Sequence, residues 1–171
     1  RQAADPGRSI WVSASAGTGK TKVLTDRVLA LLLAGPLPHR LLCLTFTKSA
    51  AAEMANRINR ALAKWAIADV EELQAEITSL TGRPADAAAL RRARTLFALV
   101  LDVPGGMKIQ TVHAFCESLL GRFPLEAGLA PHFQVMDERE AAEIQHEAQA
   151  RVLTRARYED ASPLAAALAE V

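Results

Sequence analysis

Apolar positions in this chain follow two patterns: short consecutive runs, and longer stretches in which they recur every three or four residues. Residues 10–13 form the first short run and predict a strand. Residues 19–34 predict a helix, with Val23, Leu24, Val28, Leu31 and Leu32 at helical spacing and Gly35-Pro36-Leu37-Pro38 as its stop. Leu41-Leu42-Cys43-Leu44-Thr45 is apolar almost throughout, which suits a parallel strand buried on both faces. Strand, helix and strand in that order predict a βαβ unit. A second helix is expected over residues 49–65, with Ala52, Ala55, Ile58 and Leu62 on one face.

The pattern then stays helical. Residues 69–80 predict a helix opened by an Asp69/Glu72 capping box and closed by Gly82. Residues 84–101 predict another, with Leu90, Ala93, Phe97 and Val100 as its stripe. The two make a helical insertion, about residues 66–103, which Pro104-Gly105-Gly106 ends. Residues 108–112 predict a third strand, and residues 113–123 return to helical spacing through Phe115, Leu119 and Leu120. Pro124, Gly128 and Pro131 mark a connection. Beyond it, Asp137 and Glu140 form another capping box, and the helix runs to about Tyr158 with acids early and bases late, complementing the helix dipole. The chain starts at Arg1 and stops in a further helical pattern, residues 163–171, capped by Ser162, so it is expected to be a fragment of a longer protein.

Half of the 171 residues are hydrophobic, enough to bury a core. Twenty basic residues against nineteen acidic ones leave a net charge of +1, so any contact with nucleic acid must be local. The longest apolar stretch, residues 28–34, is too short to span a bilayer, and no secretory segment opens the chain. Cys43 and Cys116 read as reduced core thiols, and a cytoplasmic location is expected.

Candidate chemistry concentrates at strand-to-helix turns. Ala14-Ser15-Ala16-Gly17-Thr18-Gly19-Lys20-Thr21 follows the first predicted strand and opens the first predicted helix, the setting of a phosphate-binding loop. Gly17 and Gly19 tolerate φ > 0 and leave room for a phosphate, Lys20 can reach the β- and γ-phosphates, and the Thr21 hydroxyl can ligate Mg²⁺. The pattern has Ala14 where glycine is usual. Thr45-Phe46-Thr47-Lys48-Ser49 lies where the next strand ends, the edge at which open α/β sheets place ligands. Its ring, hydroxyls and lysine suit base stacking and phosphate contact; alternatively, Phe46 packs beneath the helix and Thr47 only caps it. Thr111-Val112-His113-Ala114-Phe115 repeats that chemistry, although a lone histidine there is more often structural.

Hydrolysis also needs an acidic pair beside the Mg²⁺. Asp102 follows an apolar run, but that run continues a helical stripe. Asp137-Glu138 has the acids, yet Asp137 is explained as an N-cap. The residues taken alone also leave open a P-loop small-molecule kinase or a nucleotide-binding module without catalysis.

Residues 11–21, 44–54 and 109–116, in that order, resemble motifs I, Ia and Ib of UvrD/Rep-type superfamily 1 DNA helicases, and more narrowly of the AddA-type helicase-nuclease subunits of bacterial double-strand break repair. The resemblance covers nearly the whole chain. It implies an α/β fold: a P-loop, RecA-like parallel sheet forming a partial 1A lobe over residues 1–123, with the helical insertion, and the start of a helical 1B domain over residues 124–171. It implies that Gln2 reads adenine, that residues 14–21 hold ATP and Mg²⁺, and that Thr45, Phe46, Thr47, Lys48, Thr111 and His113 contact single-stranded DNA. Asp137-Glu138 corresponds to the start of 1B. The intact protein would then be an ATP-driven 3′ to 5′ helicase acting at DNA ends with an AddB-type partner. The Walker B acids, the arginines of the second RecA-like domain and the nuclease have no counterpart here, so this chain alone is not expected to unwind DNA.

Overall fold

The helical spacings become four helices packed around one core beside a short parallel sheet. A computed structural model describes residues 5–13 and 19–158. In order, they form α1 (Lys20–Ala34), a 3₁₀ turn (Pro38–Arg40), β1 (Leu42–Thr45), α2 (Lys48–Ile67), α3 (Val70–Thr81), α4 (Ala87–Leu101), β2 (Lys108–Thr111), α5 (Val112–Arg122) and α6 (Glu138–Tyr158). The chain divides into two compact units, Arg1–Ser118 and Leu119–Val171. The fold is mixed α/β. The predicted helix over residues 163–171 lies outside the described residues.

In the first unit β1 and β2 run parallel, in register from Leu42 opposite Lys108 to Thr45 opposite Thr111. The crossover between them is α2, α3 and α4. Residues 10–13 do not form the expected strand: Ile10, Trp11 and Val12 are exposed, and among the described residues the sheet has two strands. Three consecutive apolar residues report hydrophobicity, whereas a strand exists only through a ladder partner. The preceding segment is tied to α1 instead, the Arg27 guanidinium donating to the carbonyls of Asp5 at 2.8 Å and Arg8 at 2.6 Å. Nor is β1 buried on both faces. Leu42 and Leu44 are exposed, while Cys43 on the opposite face joins the margin of the core with Ile109, its register partner.

The fully buried side chains Leu32, Ile58, Leu62, Leu73, Ile77 and Leu96 come from α1, α2, α3 and α4. The predicted insertion therefore shares its core with the first two helices. In α2, Ile58 and Leu62 are buried as expected, but Ala51, Met54 and Trp65 complete the row in place of Ala52 and Ala55. In α1, Leu24 is exposed and Thr25 buried, because the Thr25 hydroxyl donates to the Thr21 carbonyl at 2.8 Å and so enters the core with its polarity satisfied. Cys116, expected in the core, is exposed on α5, which has no buried residue; burial pushes the Cys43 thiol pKa up.

Helix starts follow their caps. Asp69 accepts from the Glu72 amide at 2.7 Å, Asp86 from Ala89 at 2.7 Å and Asp137 from Glu140 at 2.8 Å. The Asp86 cap sets α4 to begin at Ala87, later than predicted. Around Asp137 the box is reciprocal, its amide donating to the Glu140 carboxylate at 3.4 Å, which accounts for this acid as a cap. At Asp69 the Glu72 carboxylate pairs instead with Lys64 at 2.7 Å. Glu76 also pairs with Lys64 and accepts from the Trp65 indole at 2.8 Å, tying α2 to α3. Both carboxylates hold the Lys64 pKa above its ordinary value, Glu72 first. Asp69→Ala is expected to lower the unfolding free energy by about 1 kcal/mol in a urea titration. An unchanged midpoint would mean that water replaces the cap.

Candidate nucleotide and nucleic-acid site

Of the predicted phosphate loop, Gly19, Lys20 and Thr21 are described; Gln2, Ala14, Ser15, Ala16, Gly17 and Thr18 lie outside the described residues. Gly19 stands at the start of α1 with φ 84° and ψ 20°, a left-handed conformation that strains any residue with a Cβ. The first helical bond runs from the Val23 amide to the Gly19 carbonyl at 3.1 Å. Lys20 and Thr21 therefore occupy the first turn, whose amides face the helix N-terminus.

This start differs from the others. Helices α2, α3, α4 and α6 begin under the side-chain oxygens of Thr47, Asp69, Asp86 and Asp137. α5 begins likewise, the Ala114 amide donating to the Thr111 hydroxyl at 3.1 Å. α1 begins at a glycine, with no acid in its first turn. A glycine that admits close approach, a helix N-terminus, an ammonium and a hydroxyl form a donor set that fits a triphosphate with its Mg²⁺. Among the described residues no group of three or more His, Cys, Asp or Glu side chains is placed to hold a metal ion by itself.

The remaining candidates meet at one sheet edge, where register sets Thr45 and Thr111 side by side at the C-terminal ends of β1 and β2. The Thr45 hydroxyl donates to the Thr47 carbonyl at 3.0 Å, shaping the turn into α2. Thr47 accepts from the Ala50 amide at 3.1 Å and shares a hydrogen bond with Ser49 at 3.2 Å. Phe46 is 90% exposed, which excludes the packed alternative, whereas Thr47 does cap its helix. Lys48 and His113 are exposed in the first turns of α2 and α5, and Thr111 is buried. The edge thus presents one ring and two basic side chains around hydroxyls already committed to shaping the backbone. Such an edge can stack a base and contact phosphate.

Asp102 is the C-cap of α4, in line with the helical reading of its apolar run. Arg92 and Arg94, which no sequence motif marks, bind the ends of α1 and α2 from α4. Their only signal is a basic cluster, Arg91-Arg92-Ala93-Arg94, inside an otherwise apolar helix. Among the described residues no helix is long and apolar enough to cross a membrane.

The family described as UvrD/REP helicase N-terminal domain matches residues 1–169. An ATP-dependent helicase/nuclease subunit of Pelotomaculum thermopropionicum is 38% identical over 167 residues, 96% of this chain and 11% of that protein. Its namesake in Lactobacillus acidophilus is 37% identical over 145 residues, 84% of this chain and 10% of the relative. The protein of the same name in Pediococcus pentosaceus is 35% identical over 135 residues, 79% and 9% respectively. The chain spans about a tenth of the length of these curated relatives. With the match running almost from end to end, the chain belongs to the UvrD/REP helicase N-terminal domain family.

Proposed function

We propose that this chain is the ATP-binding N-terminal part of a DNA helicase, a helicase-nuclease subunit of the AddA type acting in double-strand break repair. The observation that carries the reading is the family match over residues 1–169, and the relatives' printed names supply its chemistry. Residues 1–123 are read as a partial RecA-like 1A lobe and residues 124–171 as the start of 1B. Gln2 would read adenine, residues 14–21 would cradle the phosphates, Lys20 would reach the β- and γ-phosphates and Thr21 would ligate Mg²⁺. ATP hydrolysis supplies the free energy for movement along DNA. Thr45, Phe46, Thr47, Lys48, Thr111 and His113 would hold the single strand at the C-terminal edge of β1 and β2, which agrees with their shared edge and the exposed Phe46 ring. A partner of the AddB type, DNA ends as substrate and a cytoplasmic location complete the proposal.

ATP turnover with and without single-stranded DNA, compared between the 171-residue chain and the longer protein, tests this reading. DNA-stimulated turnover by the longer protein alone is expected. DNA-independent turnover by the chain alone would overturn it and return Asp137-Glu138 to consideration as a working acid pair. Phe46→Ala is expected to weaken single-strand binding by about 1 to 3 kcal/mol in a fluorescence titration. With the ring exposed, stability should stay within about 0.5 kcal/mol. Unchanged affinity would remove Phe46 from the DNA site.

A further inference from the structure

Two helices of the first unit begin at candidate functional residues, α1 at Lys20-Thr21 and α2 just after Phe46-Thr47, and both end on α4. Arg92 donates through Nε to the Leu32 carbonyl at 2.6 Å and through Nη2 to the Pro36 carbonyl at 3.0 Å. Two residues along the same helix, Arg94 donates to the carbonyls of Ala66 at 3.3 Å and Ala68 at 2.8 Å. One guanidinium thus spans the C-terminus of α1 and the other the C-terminus of α2. Both arginines are half-buried, and α4 packs against both helices.

These bonds do more than satisfy the carbonyls left over at a helix end, since water does that on an exposed surface. The last turn of α1 has no basic residue of its own, so Arg92 brings to it the charge that the helix dipole favours. A guanidinium is a planar fork whose two bonds set angle as well as distance. Two such forks, two residues apart on one helix, tie the ends of α1 and α2 to the same segment of α4. Because the core they share is close-packed, a displacement of α1 is carried by contact rather than absorbed. The route runs from Lys20 along α1 to Leu32, across Arg92 to α4, and through Arg94 to α2, whose other end follows Phe46.

We propose that Arg92 and Arg94 are positioning residues that couple nucleotide occupancy at α1 to single-strand affinity at the N-terminus of α2. The inference rests on the function proposed above. Neither side chain needs to touch ATP or DNA. Coupled sites differ in affinity by a factor on the order of 5 to 150 between the liganded and unliganded states of the other site.

The experiment measures binding of a fluorescent oligo-dT strand to the longer protein, with and without a non-hydrolysable ATP analogue. It compares the wild type with Arg92→Met, Arg94→Met, Arg92→Lys and Arg94→Lys. Lys64→Met serves as a control that cuts a tie between α2 and α3 without touching α1. The wild type and Lys64→Met are expected to show the nucleotide effect on DNA affinity. Both methionine variants should lose most of it, falling to within about twofold of no effect, while each ligand alone still binds. The lysine variants keep the charge but cannot span two carbonyls in a planar fork, so an intermediate effect is expected. Should a methionine variant fail to fold, its lysine counterpart decides by the same ratio. A full nucleotide effect in the arginine variants, accompanied only by a lower melting temperature, would overturn the proposal, as would a wild type that binds both ligands independently. A wild type that binds neither ATP nor DNA would instead sink the function proposed above.

Discussion

Lys20→Ala in the longer protein is expected to lower ATP turnover by more than about a hundredfold, the scale on which loss of one group stabilising transition-state charge is felt. The melting temperature should hardly move. Lys20 stands in the first turn of α1, at a helix end whose dipole favours an anionic ligand that the ammonium would help to hold. Gly19 points the same way, since its φ of 84° opens the helix without a side-chain cap. A serine or aspartate in its place would provide the cap at the cost of backbone strain and of room at the helix end. Turnover and melting temperature measured together separate the alternatives: unchanged turnover removes the nucleotide assignment, and a large stability loss would mean that Lys20 serves the fold.

Where the local pattern governs, the chain was legible. The Asp69 and Asp137 caps and the left-handed Gly82 are local features, and the structure has them. Tertiary choices were not legible. Residues 10–13 have strand composition, but pairing depends on another segment of chain. Leu24, expected on the apolar stripe, is exposed, while Thr25 is buried with its hydroxyl bonded to a carbonyl in the preceding turn. At the candidate site the residue types were readable while Phe46 had two destinations, packed or presented, and only its exposure separated them. Arg92 and Arg94 were invisible because their partners lie 26 to 60 residues away.

Leu96→Ala bears on whether α3 and α4 are an addition to the lobe or part of what holds it together. Leu96 is fully buried in α4, in one cluster with Leu32 of α1, Ile58 and Leu62 of α2 and Leu73 of α3. Truncating it removes three carbons from a site walled by other helices, which limits how far the cavity can collapse. A loss of about 2 to 5 kcal/mol is expected, a large part of the roughly 5 to 15 kcal/mol that holds a typical domain. An appended helical pair would unfold first and leave nucleotide binding intact at intermediate urea. A shared core predicts one cooperative transition, with nucleotide binding lost at the same urea concentration as the helical signal. The structure favours the second outcome, because α1, which begins with Lys20, buries Val28, Leu29 and Leu32 in the cluster that Leu96 completes. Two separated transitions would show that the proposed nucleotide-binding end stands without α3 and α4, and would leave Arg92 and Arg94 as caps on a dispensable helix.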